Sequence, residues 1–123
     1  MTILLDSSGW IELLGGTNRA ELFEPALKAD RLIVPAIVRY EVGRYVLAHL
    51  GETARGTALR AMAKFEQVAV DSAVADEASL LAAKHKMAMA DALIYAVART
   101  LESELWTQDS HFENLPSVRF FKK

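Results

Sequence analysis

No cysteine occurs anywhere in this sequence. Disulfide frameworks, thiolate zinc sites, iron–sulfur clusters and cysteine nucleophiles are therefore excluded together, and the chain suits a reducing compartment. An excess of one charge is missing as well. The 14 Lys and Arg stand against 16 Asp and Glu, a formal net charge of −2. Bulk electrostatics of that size do not attract nucleic acid, so a polyanionic partner has to be met by a local basic patch or through a metal ion. Long hydrophobic runs are absent. The most apolar window, 87–101, carries Asp91 and Arg99 and is too short to span a bilayer. The apolar run Ile3, Leu4, Leu5 stops at Asp6, shorter than a secretory signal needs. A cytoplasmic location without membrane association is the expectation. Proline and glycine are few, three and six, while 52% of residues are apolar and 24% charged, which excludes collagen-like, mucin-like and disordered classes. A chain of 123 residues buries roughly two-thirds of its unfolded surface, enough for one core without staples.

What is present reads as alternating short strands and helices. Residues 2–5 form an apolar run closed by Asp6, the pattern of a strand buried on both faces. Ser7 or Ser8 can cap a short helix reaching Leu14, which Gly15-Gly16 ends. A helical stretch over 18–29 follows, with Pro25 as a break, and then a second strand over 31–34. Pro35 suits the first turn of a helix running to about Leu50, and Gly51 separates it from another over 52–65. A third strand at 67–70 precedes a helix capped by Asp71 or Ser72 and ending near His85. A further helix opens near Asp91 and runs to Leu101, and strands follow at 104–107 and 118–121. Such alternation implies parallel crossover units and a sheet covered on both faces. With no repeat, low-complexity tract or linker, residues 1–123 read as one α/β domain.

Most of the acidic residues sit on or near helices, where solvated carboxylates are ordinary. Four stand apart. Asp6 directly follows the first buried strand, and in an open α/β sheet ligands bind at the carboxyl ends of strands; equally, Asp is a favoured helix cap. Asp109 repeats the arrangement after the fourth strand, in LWTQDSHF, where it also suits a cap for the turn through His111 and Phe112. Glu41 falls on the same side of its helix as Ile37, Val38, Tyr45 and Ala48 at 100° per residue, which places a carboxylate in an apolar stripe. Burying it unpaired costs several kcal/mol or forces it to take up a proton, and Arg39 and Arg44, the nearest cations in sequence, point away from it. Asp91 opens ADALIYAVA, a helix apolar on nearly every side, and shares a side with Ile94, Tyr95 and Ala98. Capping suits this residue too. Carboxylates gathered together repel unless protons or a divalent cation neutralise them, and all-oxygen ligands favour a hard ion, Mg²⁺ or Mn²⁺. His49, His85 and His111 show no ligand spacing such as HExxH, so they read as surface or supporting residues and a zinc site is not expected.

The ordered set of LLDSSGW with Asp6 and Ser8, Glu41 in the helix after the second strand, ADALIYAVA with Asp91, and LWTQDSHF with Thr107, Asp109 and Phe112 resembles a PIN-domain nuclease. Within that group it resembles a VapC-type ribonuclease toxin of a toxin–antitoxin system. The separations between the four acids are 35, 50 and 18 residues, and the resemblance spans essentially the whole chain. It implies a three-layer α/β/α fold with a five-stranded parallel sheet in the order 3-2-1-4-5. Asp6 and Asp109 would then face each other where the strand order reverses.

The resemblance further implies that the four carboxylates bind one or two Mg²⁺ or Mn²⁺ ions and that the protein cleaves RNA phosphodiester bonds as an endonuclease. Asp6 and Asp91 would be the main ligands, Asp109 a ligand or a supporting group, and Glu41 would act through water. Ser8 and Thr107 would be hydroxyl donors holding the carboxylates, although turn and strand-end chemistry accounts for them too. RNA contacts would come from Arg39, Arg44, Lys84, Lys86 and Arg99, which also suit a plain solvated surface. Some of Trp10, Leu13, Leu14, Tyr40 and Tyr45 would line a groove for a cognate antitoxin, the remainder being core, and the protein would form a homodimer. Trp106 and Gln108 depart from the family's usual residues at positions where they would alter the cleft mouth. Two rival classes share parts of the pattern. One is a catalytically inactive PIN-like RNA-binding or interaction module. The other is a receiver-like phosphoacceptor domain, in which Asp71 after the third strand would be the acceptor.

Overall fold

The computed structural model describes residues Met1–Lys123. Its centre is β1 (Thr2–Leu5), whose Leu4 and Leu5 are wholly buried. It pairs in parallel with β2 (Arg31–Pro35) on one side, Ile3 opposite Leu32, and with β4 (Glu104–Thr107) on the other, Leu4 opposite Leu105. The edges are β3 (Glu66–Val68) beside β2 and β5 (Val118–Phe120) beside β4, giving the parallel order 3-2-1-4-5. The apolar runs of β1, β2 and β4 are buried because crossover helices cover both faces, as an all-parallel sheet requires.

Those helices are α1 (Ser7–Gly15), α2 (Ala20–Phe23), α3 (Ala36–Leu50), α4 (Glu52–Met62), α5 (Ser72–His85) and α6 (Met89–Thr100). α3 packs on α4 and α5 on α6. In α6, Ala92 and the run Ile94, Tyr95, Ala96, Val97 and Ala98 are all buried, as befits a helix apolar on every side. No helix is long and apolar enough to cross a membrane.

Several boundaries differ from the sequence reading, each for a local reason. Asp6, rather than Ser7 or Ser8, caps α1, because its side chain accepts the Gly9 N–H. Gly9 permits the close seating of α1 on β1, since a Cβ there would collide with Leu5. Gly16, in the left-handed region at φ 61°, closes the helix. Pro25 marks the break expected in the 18–29 segment, since the α-helix ends at Phe23. It sits in the first turn of a 3₁₀ helix (Glu24–Lys28) that follows α2 directly, where its missing N–H costs nothing. Pro35 ends β2 and precedes α3. α4 stops at Met62 rather than Phe65, and the following turn leads into β3, which is shorter than expected and starts one residue earlier. α6 begins at Met89, so Asp91 is its third residue rather than its opening one.

Candidate active site

The loop from β1 into α1 holds Asp6 in extended backbone, 2% exposed. Its Oδ1 accepts from Ser8 Oγ at 2.7 Å and from the Gly9 N–H at 3.0 Å, and its Oδ2 accepts from Thr107 Oγ1 at 2.6 Å. Burial nonetheless pushes the Asp6 carboxyl up to about 6 against these three donors, and the charge of Asp109 pushes the same way. Capping α1 and facing a second strand end are therefore compatible roles, performed by different lone pairs of one carboxylate.

Thr107, wholly buried at the end of β4, joins two of the acids. Its hydroxyl donates to Asp6 and accepts the Asp109 N–H at 2.9 Å. Asp109 in turn caps a 3₁₀ turn (Ser110–Phe112) through the His111 N–H at 2.9 Å, and buried Phe112 anchors that turn. The His111 ring leans back over the acids, with Nδ1 3.1 Å from Asp91 Oδ2 and 3.4 Å from Asp109 Oδ1. Burial raises the Asp91 carboxyl above its ordinary value, Asp109 adds to the rise, and His111 opposes it.

Glu41 reaches the same region from α3. It is half-buried and accepts from Ser7 Oγ at 3.0 Å. Its carboxyl is raised first by burial, against the Ser7 hydrogen bond, and further by Asp91 and Asp109. The stripe that α3 buries is Val38, Val42 and Val46, not the one centred on Glu41. Glu41 stands on its shoulder, with Tyr45 and Ala48 exposed, so its partial burial comes from the cleft and not from the core. The fold thus sets Asp109 where its charge acts on Asp6, Glu41 and Asp91, and Asp91 where its charge acts on Glu41. Neither lysine nor arginine forms an ion pair with any of them; the salt bridges of the basic side chains lie elsewhere, between Arg19 and Glu12 and between Arg31 and Glu66.

Repelling carboxylates without a basic partner suit a hard divalent cation. Asp91, Asp109 and His111 offer ligand atoms that all lie within 4.8 Å of one another. Asp6 and Glu41 lie outside that compact group, and three protein donors already engage Asp6.

The remaining residues singled out from the sequence separate. Arg39 donates to Gln67 Oε1 at 3.0 Å, and with Tyr40 and Arg44 it lines a hollow between α3 and α4. Arg44, Tyr40 and Tyr45 also border Glu41 in a hollow closed by Met89 and Ala90. Lys84 lies in the last turn of α5, and Lys86 caps that helix at φ 55°. Arg99 lies 5.9 Å from the centre of the Tyr95 ring. Trp10 is not a groove residue: it is 1% exposed and packs on Phe65 with ring centres 5.7 Å apart, and its indole N–H has no partner. Leu13 packs partly buried against the core. Leu14 and Tyr45 do line an apolar groove with Ile11, Val46, Leu50 and Ala58.

Trp106 and Gln108 are both buried, and of the two Gln108 lines a hollow with Ser8 and Asp109. Trp106 lies beneath the Arg119 guanidinium, and Gln108 is held by Glu12 and Arg19 at 2.9 and 2.7 Å. Asp71 caps α5 through the Val74 N–H after an edge strand, far along the sheet order from the β1–β4 boundary, which removes the phosphoacceptor reading. Ser7, expected only as a cap for α1, and His111, expected as a surface or supporting residue, both bond the acids. In DSSGW either serine can meet Asp6 in a capping turn, and only the approach of α3 assigns Ser7 to Glu41.

Residues 3–118 match the family model of the PIN domain. No curated protein matches the chain in a sequence search. Among solved structures, the chain is similar to one in a toxin–antitoxin complex from Klebsiella pneumoniae, at 22% identity over 95% of each chain with a TM-score of 0.83. It is similar to one in the VapBC2 complex of Rickettsia felis bound to a DNA fragment from its promoter. There the identity is 14%, over 99% of this chain and all of that one, with a TM-score of 0.80. It also resembles VapC20 of Mycobacterium tuberculosis, described as a Sarcin-Ricin loop cleaving toxin, at 20% identity over 95% and 98% of the two chains with a TM-score of 0.75. At these identities the likeness establishes the fold.

Proposed function

The chain belongs to the PIN domain family, and from that premise we propose that it is a metal-dependent endoribonuclease acting as the toxin of a toxin–antitoxin pair. One observation carries the reading. Of four carboxylates from distant segments, Asp6, Glu41 and Asp91 are raised above their ordinary values first by burial and further by the charge of Asp109, with no basic side chain but an exposed histidine to offset them. RNA as substrate is supported by the similarity to a toxin described as cleaving the Sarcin-Ricin loop. A partner antitoxin is supported by the toxin–antitoxin complexes among the similar structures.

Mg²⁺ or Mn²⁺ bound here would supply Lewis-acid stabilisation of the phosphate and a lowered pKa for water. Asp91 and Asp109 would hold it, joined by the acceptor capacity left on Asp6 Oδ2. Ser8 and Thr107 fix the Asp6 carboxylate and favour its charged form, which keeps a cation-binding group ionised where burial alone would protonate it. Glu41, oriented by Ser7 and raised above its ordinary value by burial, would accept a proton from an attacking water. Arg39, Arg44, Lys84 and Lys86 would meet the RNA backbone around the acids. The groove of Leu14 and Tyr45 would take an apolar antitoxin segment. We read the protein as one nuclease domain that acts as a homodimer in the cytoplasm.

Cleavage of total RNA with Mn²⁺ or Mg²⁺ tests the reading. Asp91→Asn should cut at least about a hundredfold more slowly, the loss of a group that acts on the reacting phosphate through the ion, with an unchanged circular dichroism spectrum. Equal cleavage by that variant would overturn it.

A further inference from the structure

The most compact donor group in the acidic cluster contains a nitrogen. His111 Nδ1, one oxygen of Asp91 and one of Asp109 all lie within 4.8 Å of one another. The His111 side chain is 71% exposed, so core packing does not hold it there, and the two carboxylates are its only hydrogen-bonding or ionic partners. Its backbone, by contrast, is fixed, with its N–H capped by Asp109 Oδ1 and the buried Phe112 next in sequence. The ring is thus a free side chain on a rigid turn, directed at two oxygens.

Donors at right angles around a small divalent ion, each about 2.1 Å from it, lie about 3 Å apart. The separations of Nδ1 from the two oxygens, 3.1 and 3.4 Å, match neighbouring positions on one such ion. We propose that His111 is a nitrogen ligand to the ion held by Asp91 and Asp109, and that it makes the site select Mn²⁺ over Mg²⁺. Mg²⁺ favours oxygen donors and retains its waters, whereas imidazole nitrogen suits the transition metals. The proposal rests on the metal-dependent reading and adds a ligand that an all-acidic site lacks.

Pulsed electron paramagnetic resonance of Mn²⁺ bound to the full chain, with calorimetry of Mn²⁺ and Mg²⁺ binding, tests it. The wild type should show ¹⁴N modulation from a directly bound imidazole, absent in His111→Ala. That variant keeps the capped turn, because Asp109 bonds the backbone N–H. Its Mn²⁺ affinity should fall on the order of tenfold, while its Mg²⁺ affinity stays within about twofold. Asp91→Asn should weaken both ions, which marks the site. If Mn²⁺ binds the wild type without ¹⁴N modulation, or the modulation survives in His111→Ala, the histidine is not a ligand although metal dependence stands. An equal loss for both ions in His111→Ala overturns the selectivity. If Mn²⁺ does not bind the wild type at all, the metal-dependent reading falls with it.

Discussion

At the N-terminal ends of the strands, carboxylates meet cations. Asp30, just before β2, bonds the terminal ammonium of Met1, and Glu66 at the start of β3 takes a forked interaction from Arg31, with Nε at 3.0 Å from Oε1. Both carboxyls are held below their ordinary values by those partners. Around the C-terminal ends of β1 and β4 the opposite holds. Asp6, Glu41 and Asp91 are raised, first by burial and then by neighbouring carboxylates, and only hydroxyls, backbone N–H groups and one exposed imidazole answer them. One set of strands therefore carries satisfied charge at one end and unsatisfied charge at the other. At the first end the chain's own cations satisfy the carboxylates, and at the second burial and neighbouring charge press them toward the protonated form.

The contrast can be broken most forcefully with pH. The folded carboxyl of Asp6, about 6, lies above its ordinary 3.8, so the folded protein holds this proton more tightly than the unfolded chain. Its contribution to stability is full below about 3.8 and is lost as pH rises through about 6, amounting to on the order of 3 kcal/mol. Glu41 and Asp91 act with the same sign. Metal-free protein in chelator should lose stability between pH 4.5 and 7.5 in denaturant titrations, and Asp6→Asn should flatten that dependence. A wild type equally stable at both values would remove the unsatisfied end from the account.

A smaller effect sharpens the role of the hydroxyls. Thr107→Val deletes a buried donor to Asp6 and the acceptor of the Asp109 N–H at nearly constant volume. Stability should fall by about 1–3 kcal/mol, and the acid limb of the cleavage profile should move to higher pH as Asp6 rises further. Thr107→Ser should restore both, and a Val variant with an unshifted profile would deny Thr107 any hold on Asp6. Least of all is expected at the paired end. Arg31 and Glu66 are nearly half exposed, where solvent screening leaves a salt bridge little to contribute. Glu66→Gln should leave the melting temperature almost unchanged and RNA cleavage untouched, whereas a large loss in either would show that the two ends are not separate.

A parallel sheet covered on both faces was legible because short apolar runs alternate with helices, whereas the strand order came only with the family resemblance. That Asp6 and Asp109 each follow a strand was readable from the residues, but their convergence needs β1 beside β4, which the resemblance implied and the sheet shows. Glu41 lies in an apolar stripe of the helical wheel, yet that stripe is not the one α3 buries. A helical wheel marks which residues share a side but not which side is covered, and α3 covers Val38, Val42 and Val46. Trp10 shows the same ambiguity in reverse, an aromatic near the acids that turns into the core. His111 and Ser7 depend on how the turn after β4 and the start of α1 are presented to α6 and α3, contacts set by packing between elements remote in sequence.

The central claim is that the acids at the β1–β4 end hold protons or a divalent ion in exchange for one another. Calorimetric titration of Mn²⁺ at pH 6 in two buffers of different ionisation enthalpy measures the protons expelled on binding. About half a proton or more should be released, since Asp6 alone is then near half-protonated, and the release should shrink toward pH 8. Binding with no proton released at pH 6, or no binding, would contradict the account.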